Sequence, residues 1–224
     1  MASRFVDLTL MIHEGMTTFP VHWHPVVEIT QLGRHGIENR ETRKLVLGTH
    51  TGTHIDAPRH FVRGGSTIEF ADLATLIGPA SFVDLHHLPS RHEVSQSELE
   101  QALRGRDCTR VVLRYDWDRH LCTNAYYTDH PFLSEDACRW LVASGCKLLA
   151  MDSPMPDNPI NGRGSSNDSP NHTILLAAGT LIVEYLCNLV SVTAATAELI
   201  VLPLKIKDGD GAPVRCVARL EESV

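Results

Sequence analysis

The 224-residue sequence has no Cys-x-x-Cys pair, no Gly-x-Ser-x-Gly, no basic patch and no apolar run approaching ~20 residues. Each absence excludes a class. Without a long apolar run there is no transmembrane helix. Without a basic patch, and with a net charge of −7, nucleic acid and anionic membrane surfaces are poor partners. Without the serine elbow, a Ser-His-Asp hydrolase has no nucleophile in its usual setting. The six cysteines (Cys108, Cys122, Cys138, Cys146, Cys187 and Cys216) are scattered, so cysteine zinc ligation is not expected. They read as free thiols in a reducing cytoplasm. The first residues, Met-Ala-Ser-Arg-Phe-Val-Asp, lack the apolar core of a signal peptide, which also points to the cytoplasm.

What is present fits one domain over residues 1–224, with a 43% hydrophobic fraction that can fill a core. Strands are expected at 6–12, 44–49, 80–85, 110–115, 147–151, 180–186 and 199–206. A last strand at 213–220 pairs with its predecessor across Asp208-Gly-Asp-Gly, a hairpin signal. Ser95 with Glu98 forms a capping box before a helix ending near Leu103. A second helix runs from Ser134 to Ser144 and is closed by Gly145. Residues 14–25 and 153–171 read as irregular, the second as a lid or substrate loop. Alternating helix and strand between Ser95 and Asp152 imply a parallel crossover, while the chain's end is antiparallel. The expected fold is therefore α/β with a mixed sheet and two or three helices.

Chemistry concentrates at His50-Thr-Gly-Thr-His54-Ile-Asp56-Ala-Pro-Arg-His60. Imidazole and carboxylate are the usual ligands of zinc, manganese and related ions. Gly52 and Pro58 interrupt any regular helix, so a turn can aim several short side chains at one point. Seven of the thirteen histidines lie in the first sixty residues, so enrichment alone could produce a His-rich surface loop. The small residues between the candidate ligands argue for a built site.

Glu184 is the second signal. Ile182, Glu184 and Leu186 share one strand face, and Leu181, Val183 and Tyr185 share the other. Both faces are apolar, so a carboxylate there needs a compensating cation or a proton. A metal or a distant arginine such as Arg114 or Arg215 would serve equally. His172 alone reads as a helix start or core residue. Asp152 ends a strand and could bond a ligand histidine, bind substrate or cap the next turn. Asp157 and Asp168 read as loop caps. Phe19, Trp23 and Phe61 could stack on an aromatic substrate or belong to the core.

These motifs, in this order, resemble the metal-dependent cyclase/hydrolase family that includes bacterial kynurenine formamidase. The resemblance rests on His50 to Phe61, on Met151-Asp152-Ser153-Pro154, on His172 followed twelve positions later by Glu184, and on Leu202-Pro203-Leu204-Lys205 leading to Pro213-Val214-Arg215. It implies a mixed-sheet, cyclase-type (swivelling β/β/α-like) domain, assembled as a homodimer or homotetramer. It implies one or two divalent ions, Zn²⁺ or Mn²⁺. His50, His54 and Asp56 would hold one, Asp56 and Glu184 would bridge to a second, and His172 would complete that site. His60 would be the general acid/base. The implied reaction is hydrolysis of an N-formylkynurenine-type amide, with water activated at the metal from a pKa of roughly 16 to about 7.

The chain also departs from the family. Thr173 stands where those formamidases carry a second histidine, and Phe19-Pro20-Val21-His22-Trp23 replaces a Trp-Pro-Gly-Asp-like segment. A small-molecule substrate, aromatic if those rings stack on it, is expected, with lactone or cyclic-amide opening as the sibling reaction and a non-catalytic metal-binding protein as the alternative class.

Overall fold

The computed structural model describes residues 3–161 and 167–221. Its strands are β1 (Ser3–Asp7), β2 (Glu28–Gly33), β3 (Thr42–Val46), β4 (His54–Asp56), β5 (Ile77–Asp84), β6 (Glu93–Val94), β7 (Arg110–Arg114), β8 (Phe132–Leu133), β9 (Leu148–Met151), β10 (Leu181–Glu184), β11 (Thr196–Pro203) and β12 (Gly211–Glu221). The helices are α1 (Leu73–Leu76), α2 (Gln96–Ala102), α3 (Asn124–Thr128), α4 (Glu135–Ala143) and α5 (Pro170–Ala177). The main sheet is mixed, ordered β1-β12-β11-β5-β7-β9-β10-β4. Long β12 pairs with β1 at its C-terminal end and with β4 at its N-terminal end, so the sheet curls into a barrel-like form.

β5, β7, β9 and β10 are parallel neighbours. Their near-continuous apolar character follows from burial on both faces. Alternation assigns each face. Val112, Leu148, Ala150, Leu181 and Val183 pack inside the barrel with Ile55, Val201 and Cys216. Val111, Leu113, Leu149, Met151 and Ile182 pack outward against Leu99, Leu141 and Leu175 of the helices. α2 carries the expected capping box, in which Ser95 Oγ accepts from Glu98 N and Glu98 accepts from Ser95 N. Gly145 follows α4 at φ +83°, the left-handed conformation its C-terminus needs.

Four expectations are corrected. The first strand ends at Asp7 instead of reaching residue 12, and beyond it only Thr9 bridges to Leu186. The strand at 44–49 is β3, which ends at Val46 and pairs with unforeseen β2 in a separate ribbon. Five α-helices stand among the described residues, two of them, α1 and α3, short enough to leave no periodicity in sequence. The stretch expected as a loop to residue 171 gives way to α5 from Pro170. Part of that expected loop, residues 162–166, lies outside the described residues.

Candidate metal centre

The motif turns only as far as Thr53. Gly52 takes φ +63°, which glycine tolerates without a Cβ penalty. The chain then enters β4. Antiparallel pairing sets Glu184 opposite His54 and Ile182 opposite Asp56. With a side-chain period of two, His54, Asp56 and Glu184 share the outward face, and Ile55 enters the barrel core. α5 then carries His172 over that face.

The donors are held in defined orientations. His54 Nδ1–H donates to the Gly52 carbonyl at 2.9 Å, which turns Nε2 to Asp56 Oδ1 at 3.3 Å and Glu184 Oε2 at 3.4 Å. His172 Nδ1–H donates to Asp157 Oδ2 at 2.5 Å, which turns Nε2 to Glu184 Oε1 at 3.1 Å and Asp56 Oδ2 at 3.4 Å. His50 Nδ1 donates to Asp56 Oδ1 at 2.8 Å. Donor atoms of His50, Asp56 and His60 gather within 4.8 Å of one another, as do those of His54, Asp56 and Glu184. Asp56 belongs to both groups. Distance also places His54 beside Glu184 and His60 beside His50.

Charge explains what such a centre requires. Asp56 and Glu184 are 1% and 4% exposed. Neither arginine considered from sequence reaches them, because Arg114 pairs with Asp116 and Asp84, and Arg215 with Asp7. Asp56 Oδ2 and Glu184 Oε1 are buried without a well-directed donor. The positive charge in their place is a proton. Burial disfavours imidazolium, yet hydrogen bonds to Asp56 and Glu184 push His54 up to about 10. His172 is raised well above its ordinary value against the same burial, by Asp157, Asp56 and Glu184. Burial likewise works against ionising Asp56, but His50, His60 and His172 hold it well below the usual carboxylate range. Two carboxylates and several imidazoles, two of them locked with Nε2 inward, fit a divalent ion that would take over from those protons.

A cavity of about 190 Å³ opens over these groups, walled by Phe19, Trp23, Phe61, Met155 and Tyr185. Phe61 stacks on His172 with centroids 4.6 Å apart. Trp23 stands 59% exposed at the rim. His24 also lines the cavity, and burial with the nearby His50, His54 and His60 lowers it to about 4, so it is neutral at physiological pH.

Asp152 is the site residue the structure moves elsewhere. It is fully buried, and its carboxylate accepts from Tyr115 N at 3.0 Å and Trp117 N at 3.4 Å. It staples the ends of β7 and β9 together and does not line the cavity. Burial pushes it up to about 8. Because an amide can still accept those backbone bonds, Asp152→Asn is expected to keep its metal and to turn over within about threefold of wild type. A larger drop in steady-state rate would return Asp152 to the site.

Three contributors went unread in the sequence. Asp157 caps α5 through Asn171 N at 2.7 Å, as a loop cap should, but the same carboxylate also orients His172. His24 carried no spacing signal. Asp210 was absorbed into the hairpin signal of residues 208–211.

Residues 6–158 match the family described as "Putative cyclase". Kynurenine formamidase of Bacillus mycoides (strain KBAB4) is 31% identical over 218 residues, 97% of this chain and 98% of its own. Kynurenine formamidase of Salinibacter ruber (strain DSM 13855 / M31) is 35% identical over 177 residues, 78% of each chain. Among solved structures, an isatin hydrolase bound to the product analogue thioisatinate shares the fold with a TM-score of 0.85 at 24% identity, covering 98% of this chain and 93% of that one. A predicted metal-dependent hydrolase from Bacillus stearothermophilus gives a TM-score of 0.78 at 26% identity, covering 98% and 99%.

Proposed function

Since the chain belongs to the cyclase family, we propose that it is a metal-dependent hydrolase of a non-peptide carbon–nitrogen bond, of the arylformamidase type: N-formylkynurenine to kynurenine and formate. The observation that carries this reading is the buried Asp56–Glu184 pair, ringed by His50, His54 and His172, with no lysine or arginine among the described residues paired to either carboxylate. Full-length similarity to kynurenine formamidase supports the substrate class. His50, His54, Asp56, His172 and Glu184 would hold one or two divalent ions, Zn²⁺ or Mn²⁺. When bound, such an ion supplies Lewis acidity and lowers the pKa of water.

The chain's own residues supply the rest. Phe19, Trp23 and Phe61 offer aromatic faces to an aryl ring. Neutral His24 can donate a hydrogen bond without adding a second cation beside the metal. His60, which lines the same cavity, delivers a proton to the departing nitrogen. His60→Ala is expected to lower kcat about 10²–10⁴-fold while metal content stays at the wild-type level. Metal analysis after dialysis separates the roles, since loss of metal together with activity would make His60 a ligand.

A homodimer or homotetramer in the cytoplasm completes the reading. The β2–β3 ribbon leaves Leu32, Ile37 and Leu45 more than half exposed. A two-stranded ribbon is marginal alone, so cover by a second copy would stabilise it. No described helix is long and apolar enough to cross a membrane.

The direct test is formate release from N-formylkynurenine by protein reconstituted with zinc or manganese, beside a chelated control. Metal-dependent release is the expected result. Faster opening of a cyclic amide or lactone would move the substrate to that sibling class, and no metal-dependent turnover on either would leave a binding protein.

A further inference from the structure

The turn between β11 and β12 reaches the centre through one carboxylate oxygen. Asp210 Oδ2 lies 2.8 Å from His50 Nε2 and 3.1 Å from His60 Nδ1. The two imidazoles stack above it, with centroids 3.9 Å apart and planes 30° from parallel. A carboxylate can only accept, so both nitrogens must carry the proton.

The backbone delivers Asp210 to that point. Ala57 N donates to the Asp210 carbonyl at 2.9 Å, and Ile68 N to that of Gly209 at 2.9 Å. Gly211 pairs in register with Asp56. A Cβ at Gly211 would sit 2.7 Å from the Ile55 carbonyl and 2.9 Å from His50 Cε1. The glycine therefore allows the close approach that the hairpin signal in the sequence did not require.

We propose that Asp210 is a positioning residue that sets the tautomers of both a metal ligand and the acid/base. With Nε2–H of His50 tied to Asp210, its Nδ1, which donates to Asp56 Oδ1 at 2.8 Å, is the nitrogen that would exchange its proton for the ion. With Nδ1–H of His60 tied to the same oxygen, Nε2 is the nitrogen left to exchange a proton with substrate. One half-exposed carboxylate thus couples ion binding to proton transfer. The His60 half rests on the proposed hydrolysis, whereas the His50 half stands on metal binding alone.

The test compares wild type, Asp210→Ala and Asp210→Asn. Zinc affinity is measured by chelator competition, kcat and KM are measured at saturating zinc, and histidine tautomers are read from ¹H–¹⁵N spectra of the zinc-loaded protein. Asp210→Ala is expected to weaken zinc about 10–100-fold. At saturating zinc its kcat should fall about 10²-fold or more, with KM within about threefold. Asp210→Asn, which keeps one accepting oxygen, should recover part of both losses. It also serves as the folded reference if the alanine variant unfolds. Wild type should show Nε2–H at His50 and Nδ1–H at His60. The opposite tautomer at either residue, or unchanged zinc affinity in a folded Asp210→Ala, overturns the proposal. If wild type itself releases no formate, the proposed function falls, and the zinc and tautomer measurements still decide the role of Asp210.

Discussion

Asp56→Asn is expected to remove bound metal and turnover together. Asp56 is the one carboxylate common to both donor groups. His50 Nδ1 lies 2.8 Å from Oδ1, His54 Nε2 3.3 Å from Oδ1, and His172 Nε2 3.4 Å from Oδ2. The amide keeps the volume and discards the charge. Losing an outer partner of a metal ligand typically costs ~10–100-fold in affinity or activity, so losing the shared ligand should cost more. We expect a folded protein that holds less than about a tenth of the wild-type zinc after dialysis, with formate release down by at least about 10³-fold. Circular dichroism and elemental analysis on the same sample would check it. A variant that kept its zinc would show that Glu184 and the histidines suffice, and that the centre is not built around Asp56.

Without metal, stability should fall as pH rises, and zinc should reverse the trend. His54 is raised from 6.5 to about 10 in the folded protein by Asp56 and Glu184, against burial. A raised imidazole contributes stability that is fully present below its unfolded value near 6.5 and drains away as pH climbs towards 10. His172 adds in the same direction. Asp56 and Glu184 are shifted down, so their contribution is present above the ordinary carboxylate range and is lost on acidification. The chelated protein should therefore be most stable near pH 5–6.5. At ~1.4 kcal/mol per unit, His54 alone accounts for about 3 kcal/mol lost by pH 9, a drop of roughly 6–12 °C in Tm for a chain of this size. Zinc binding expels those protons, so the loaded protein should hold or gain stability over the same range. Thermal melts at pH 6.5, 7.5 and 9, with chelator and with zinc, measure both slopes. A chelated Tm that rises across this interval would mean that the imidazoles are neutral without the ion and that the carboxylates carry the proton.

How much of this was legible in sequence depended on whether the signal was local. The His50–His60 motif announced ligands because steps of four and six residues from His50 suffice to turn a chain. Glu184 announced a buried charge because both faces of its strand were apolar. Ser95 and Glu98 marked a helix start within four residues. In each case the physical cause and its consequence lie within one element. The acid/base role proposed for His60, the number of ions and the substrate class entered through the family resemblance instead.

Only the tertiary structure decided which groups meet. The β4–β10 register, set by pairing across more than a hundred residues, put His54 opposite Glu184. The crossover through α5 brought His172 and its Asp157 partner above them. Asp152 ended a strand, a common place for site residues, yet two backbone N–H groups claimed its carboxylate. Asp210 read as turn chemistry because Asp and Gly favour turns wherever they occur. What made it a site residue was the stack of His50 and His60 beyond the turn, held there by sheet closure between β12 and β4. Residue types, spacing and burial pattern are properties of the chain and settled the chemistry available. Non-local pairing and close backbone approach exist only in the fold, and they settled which carboxylate serves which imidazole.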